Sequence, residues 1–217
     1  MDNITPPQAK DAPPAPTPPP PPAAPQPPAA PQPQDVAFMQ QAIQQAQAAA
    51  RLGEVPIGAV VVCNGQIVSA AHNRREIDAN PAAHAEFTAL TQAARALGRW
   101  RLTGCTVYVT LEPCLMCAGL MHQARIDRCV FGAPDPKAGA LGTLYAIHRD
   151  TRLNHNFTVT PGVCQQQCAS LLSDFFASLR QAKQDASHSK AHTVNQEASP
   201  NTNKNKGHAD KNGGLPL

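Results

Sequence analysis

Three good ligands for a soft metal stand in two short segments that any fold using all of them must bring to one point. His84-Ala85-Glu86 carries the first, and Pro113-Cys114-Leu115-Met116-Cys117, which begins 27 residues later, carries the other two. Cys114 and Cys117 are spaced i and i+3, so on a helix they share one face and could grip a single ion. Pro113 suits the edge of such a helix, where its missing N–H costs little. A helix N-terminus and a metal both favour thiolate over thiol. His84 adds a third ligand from the start of another helix. Three protein ligands leave one tetrahedral position open, which marks a catalytic zinc rather than a structural one. A water there has its pKa lowered to about 7. Two thiolates, one neutral imidazole and Zn²⁺ sum to zero charge, so hydroxide is not repelled by the site. Glu86 lies two residues from His84, and i and i+2 diverge on a regular helix. The pair therefore makes most sense in a first helical turn facing the metal. A carboxyl closed in an apolar pocket there would have a raised pKa and could shuttle protons. A lone Cys-x-x-Cys is more often a structural zinc knuckle or a redox pair, and a lone His-x-Glu is near chance. The combination, with each motif opening a helix, favours the catalytic reading.

Only part of the chain can form a core. Residues 1–34 hold 15 of the 23 prolines and almost no large apolar side chain. Such a segment cannot bury enough surface to offset its ordering entropy. Residues 184–217 are rich in Asn, Lys, His, Ser and Gly and read as a second, polar disordered tail. Between them, 35–183 suits one ordinary domain. The seven cysteines are odd in number and no export signal or membrane-length apolar run is visible. Reduced thiols, a metal site and a cytoplasmic location are expected. The formal net charge of +3 is compatible with a polyanionic partner but does not establish one. Cys63, Cys105 and Cys129 read as core residues. Cys164 and Cys168, spaced i and i+4, read as packing rather than a second metal site.

Hydrophobic period then assigns the elements. Residues 36–52 predict a helix ending at Gly53, and 55–63 a buried strand. Asn64-Gly65 is a hairpin turn leading to a return strand over 66–71. A helix follows over 82–97, a strand over 105–111, a helix over 114–123 and a short strand over 127–132. Residues 133–156 read as a loop of the kind that frames an active site, with short helical turns. A fifth strand is expected within 156–160 and a closing helix over 163–183. Leu171, Leu172, Phe175, Phe176 and Leu179 form that helix's core-facing side, and His122 reads as a surface or loop-facing residue. Helix, hairpin, then strand–helix alternation implies an α/β fold with helices on both faces of a mixed sheet.

The combined His-x-Glu and Pro-Cys-x-x-Cys pattern is the mark of zinc-dependent nucleobase deaminases. Around it the chain resembles one branch, the bacterial tRNA-specific adenosine deaminases, from about 37 to 183. The resemblance is carried by Asn80-Pro81 before His84 and by Thr110-Leu111-Glu112-Pro113-Cys114-Leu115-Met116-Cys117-Ala118-Gly119. It extends to Val55–Val60, Asn73-Arg74, Val130-Phe131-Gly132-Ala133 with Asp135, and Leu171–Phe176. It implies a cytidine-deaminase-like three-layer α/β/α fold with a five-stranded mixed sheet. It also implies a homodimer with one Zn²⁺ per subunit, bound to a tRNA anticodon loop. The implied reaction is hydrolytic deamination of adenosine to inosine at the wobble position of an arginine tRNA. His84, Cys114 and Cys117 would hold the zinc and Glu86 would shuttle protons. Asn73 would hydrogen-bond the base, and Asp135 would lie beside the sugar-phosphate backbone. The zinc motif alone is shared with deaminases of free bases and nucleotides, of guanine or cytosine type, which remain the alternative. A non-catalytic zinc module that binds proteins through the proline-rich arm is a third reading.

Overall fold

The computed structural model describes residues 30–197, with side chains described as far as 186. The expectation of a proline-rich extension falls almost wholly outside these residues, as does the tail beyond Glu197. Helix α1 (Asp35–Arg51) leads to a hairpin of β1 (Gly58–Cys63) and β2 (Gln66–His72). Then come α2 (Ala85–Ala96), β3 (Cys105–Leu111), α3 (Leu115–Ala124) and β4 (Arg128–Ala133). A short 3₁₀ turn at Ile147–Arg149, β5 (Thr158–Thr160) and α4 (Gln165–Glu197) complete the order. The five strands lie in the order β2-β1-β3-β4-β5. β1 is antiparallel to β2 and β3, whereas β3, β4 and β5 run parallel. The sheet is mixed and five-stranded, as expected.

Local chemistry explains the differences from the expected boundaries. β1 begins at Gly58 rather than residue 55, because Pro56 has no N–H and the Ile57 N–H turns back to the Val55 carbonyl at 2.8 Å. The hairpin closes on Asn64 and Gly65, both at positive φ (51° and 73°), as a tight two-residue turn requires. α2 begins three residues later than the period predicts. Asn80 Oδ1 accepts from the Ala82 N–H at 2.9 Å and forms a turn ahead of the helix. α4 runs on to Glu197, past the boundary expected at 183, and no Pro or Gly interrupts the sequence from 163 to 197.

Each face of the sheet carries its own core. On one side Ala59, Val61, Val107, Val109 and Phe131 pack with Ala89, Leu90 and Ala93 of α2 and with Ala118 and Met121 of α3. On the other, Val60, Val62, Tyr108 and Val130 pack with Met39, Ala42 and Ile43 of α1 and with Cys168. Alternate residues of β1 and β3 therefore feed opposite layers. Cys63, Cys105 and Cys129 are buried as expected. Cys168 packs on Gly132, where an added Cβ would meet its sulfur at 2.3 Å. Burial lifts its thiol to about 12, in keeping with a packing role. Leu171 packs against this second core, and Phe175 is half-buried.

Gly58 sets how closely α1 can approach the sheet. A Cβ there would lie 2.1 Å from the Ala42 carbonyl oxygen and 2.4 Å from the Ala46 nitrogen. Gly58→Ala is expected to cost about 1–3 kcal/mol by overpacking. A lower urea midpoint at unchanged slope would show it; an unchanged midpoint would mean α1 yields freely.

One polar cluster lies within the α1 layer. Arg128 donates to both carboxylate oxygens of Asp35, at 2.8 and 2.7 Å. The Tyr108 hydroxyl and the Gln32 N–H also donate to that carboxylate, at 2.9 and 2.6 Å. Arg128 bonds Thr160 Oγ1 as well. Burial opposes the charge on Asp35, but these donors outweigh it and hold the carboxyl below its usual range.

Candidate active site

Two helix N-termini meet behind the sheet. His84 is the N-cap of α2 and Cys114 the N-cap of α3, both in extended backbone conformation. Cys117 lies in the first turn of α3. Because His84 precedes its helix, its side chain is freed from the helical face, and Glu86 enters as the second residue of α2. That resolves the i, i+2 conflict posed by the sequence. His84 Nδ1 lies 3.8 Å from Cys114 Sγ and 3.6 Å from Cys117 Sγ. All three ligand atoms fall within 4.8 Å of one another. A tetrahedral zinc with ordinary bond lengths separates its sulfur and nitrogen ligands by about 3.6 Å. The donor set therefore fits a metal ion of that size and softness, and the sequence-expected trio is brought together.

The electrostatics suit the same ion. The hydrogen bond from Cys117 draws the Cys114 thiol down to about 3, with His84 adding to the effect against burial. That same bond, then burial and the Glu86 charge, push Cys117 up. His84 is raised, chiefly by its bond to Cys114. Glu86 is 4% exposed, and burial pushes its carboxyl up, partly offset by its own backbone N–H and by the nearby His84. A buried acid in the first turn of the helix that His84 caps is placed to hold or release a proton beside the cluster.

Asn73 and Asp135 both lie in loops. Asn73 is buried at the end of β2 and donates through Nδ2 to Glu54 Oε2 at 2.9 Å. The next residue, Arg74, is tied by its N–H to the Ala83 carbonyl, directly before His84, at 3.0 Å. Asp135 follows β4; its Oδ1 accepts from the Lys137 N–H at 2.8 Å, and its own N–H donates to Glu112. The sequence reading missed two residues here, Glu54 and Glu112. Both are buried carboxyls that pin loops: Glu54 also accepts from the Ile77 N–H at 2.8 Å. The signal available was an acidic residue inside an otherwise apolar stretch, as in Leu111-Glu112-Pro113. His122, expected to face the surface or a loop, is buried and faces a loop, with Nδ1 3.0 Å from the His155 carbonyl oxygen.

Comparison with known proteins agrees with this geometry. Residues 34–180 match the family model described as MafB19-like deaminase. The chain is 49% identical to the tRNA-specific adenosine deaminase of Bacillus subtilis over 153 residues, which cover 70% of this chain and 95% of that protein. It is 42% identical to the Haemophilus influenzae enzyme of the same name, over 69% of this chain and 87% of the other. Its fold is similar to a solved structure from work on A-to-I editing by tRNA:A34 deaminases at the wobble position of transfer RNA. That match has a TM-score of 0.61 and 39% identity, over 63% of this chain and 99% of the other. With the fold, the paired helix N-termini and these likenesses in agreement, this chain belongs to the family of the bacterial tRNA-specific adenosine deaminases and is a deaminase.

Proposed function

We propose that the protein converts adenosine to inosine at the wobble position of an arginine tRNA anticodon, with zinc held by His84, Cys114 and Cys117. One observation supports the chemistry above all: a buried Glu86 in the first turn of the helix that His84 caps, beside a three-ligand cluster. The substrate reading is supported by the relatives' names and by the near-complete coverage of the Bacillus subtilis enzyme. Bound zinc would supply Lewis acidity, which lowers the pKa of a water to about 7. Glu86 takes up a proton at its carboxyl, delivers it to the ring nitrogen beside the reacting carbon, and then helps protonate the departing ammonia. Asn73, held by Glu54, hydrogen-bonds the flipped base. Asp135 lies beside the sugar-phosphate backbone. An unstacked anticodon-loop base costs least to extrude, which suits a single deep pocket.

Homodimerisation accords with the exposed Leu115 and Met116, which open the ligand-bearing helix and are 48% and 37% exposed. Equilibrium sedimentation of the zinc-loaded protein tests it, and a monomer at micromolar concentration would remove the dimer. A tRNA substrate implies the cytoplasm. Among the described residues no helix is long and apolar enough to cross a membrane.

The alternative is a free-base deaminase. It has support from a fold neighbour, a guanine deaminase from Nitrosomonas europaea with a TM-score of 0.56 and 25% identity, over 65% of this chain and 84% of that one. The test incubates zinc-loaded protein with an arginine tRNA bearing wobble adenosine, beside free adenine, guanine and cytidine. Inosine at that one position supports the tRNA reading; ammonia from a free base alone overturns it. Binding of the tRNA is expected to weaken steeply between 50 and 200 mM salt through lost phosphate contacts, which a neutral base would not show.

A further inference from the structure

Glu112 is buried directly after β3, two residues before Cys114. Its carboxyl collects four donors from a single downstream segment. Oε1 accepts from the Leu141 and Thr143 N–H groups, each at 3.0 Å. Oε2 accepts from the Asp135 N–H at 3.1 Å and from the Thr143 hydroxyl. The backbone of Gly139 lies directly against the same carboxyl: a Cβ there would fall 2.4 Å from Oε2. The seam continues into the metal-ligand turn. The Ala140 N–H donates to the Pro113 carbonyl at 2.9 Å, and Gly139 forms a β-bridge with Cys114.

Segment 135–143 contains no helix and no named strand, and it carries Pro136, Gly139 and Gly142. Three of its backbone N–H groups converge on one side chain. Such donors must find partners when they leave water, and a carboxyl with two accepting oxygens is suited to hold all of them. A glutamine at 112 would turn an NH₂ group toward N–H or O–H donors on one side, so it can replace only part of the arrangement.

We propose that Glu112 is a positioning residue, holding Asp135–Thr143 against the Cys114 turn in the form that the RNA substrate meets. The role rests on the reading that this face binds a tRNA anticodon loop through Asp135. Glu112 acts on that contact through the segment, without touching the reacting atoms. Its loss should therefore raise KM for RNA far more than it lowers kcat.

The experiment compares full-length, zinc-loaded wild type with Glu112→Gln and Thr143→Val. Steady-state kinetics use an anticodon stem-loop with wobble adenosine, while zinc content and amide hydrogen exchange across 135–143 are followed in parallel. Glu112→Gln is expected to raise KM at least tenfold, keep kcat within threefold, retain one zinc per chain and accelerate exchange at residues 135, 141 and 143. Thr143→Val, which removes one donor and spares the rest, is expected to raise KM two- to threefold and to speed exchange modestly. Unchanged KM and exchange in Glu112→Gln would overturn the role. Lost zinc with a fallen kcat and constant KM would also overturn it, because Glu112 would then serve the ligand cluster. Should Glu112→Gln fail to fold, Thr143→Val decides on the same two readouts. If the wild type makes no inosine, the functional reading fails by itself, and exchange still judges whether Glu112 holds the segment.

Discussion

Glu86→Ala is expected to reduce inosine formation by about 10²–10⁴-fold while the protein keeps its zinc and its fold. The three ligand atoms that cluster belong to His84, Cys114 and Cys117, and Glu86 is not among them. Its carboxyl is closed off from solvent, and burial raises its affinity for a proton. That combination suits a group that must accept and return a proton within one turnover. Glu86→Gln preserves the shape but cannot carry the proton, so it should be nearly as inactive as the alanine variant. The measurements are initial rates by mass spectrometry of digested tRNA, zinc per chain by plasma emission, and thermal unfolding. Turnover within tenfold of wild type would sink the mechanism. Lost zinc would show that Glu86 belongs to the ligand set.

The largest effect on stability is expected at the cluster beneath α1. Arg128→Ala removes two of the four donors to Asp35, and its only cationic partner among the described residues, and leaves a carboxylate sealed from water. Breaking a buried ion pair from one side costs about 3–5 kcal/mol. Replacing both partners by apolar side chains, as in Asp35→Leu with Arg128→Met, should recover much of that loss, because no unpaired charge remains. The sign of the pH dependence follows from the lowered Asp35 carboxyl. Its stabilising contribution is present above the ordinary carboxylate range and is lost as pH falls through the lower folded-state value. The gap between wild type and Arg128→Ala in urea unfolding should therefore be widest near neutrality and narrow in acid. A gap below about 1 kcal/mol at neutral pH would mean that water or other donors replace Arg128.

Much of the architecture is legible in the chain because it is locally encoded. The alternation of β3, the Asn64-Gly65 turn and the three- and four-residue spacing of α1 each depend on neighbours a few residues apart. Boundaries failed where one hydrogen bond competed with the period, as at Pro56 and at the Asn80 turn. The partner of His122 was not legible, because it is a loop carbonyl 33 residues away.

By itself the sequence determined the chemistry available to the site: two cysteines at i and i+3, a histidine and a glutamate on separate segments, and the helical starts that present them. Only the tertiary structure decided how those groups meet. Two extended N-caps aim His84 and Cys114 at one point, a geometry that helical spacing alone would forbid for His84 and Glu86. It also decided that Glu112 gathers a loop up to 31 residues downstream and that Arg128 reaches Asp35 across 93 residues. The physical reason is that local pattern specifies which face of an element is apolar. Strand order and helix placement then specify which distant donors and acceptors are sealed together, away from water.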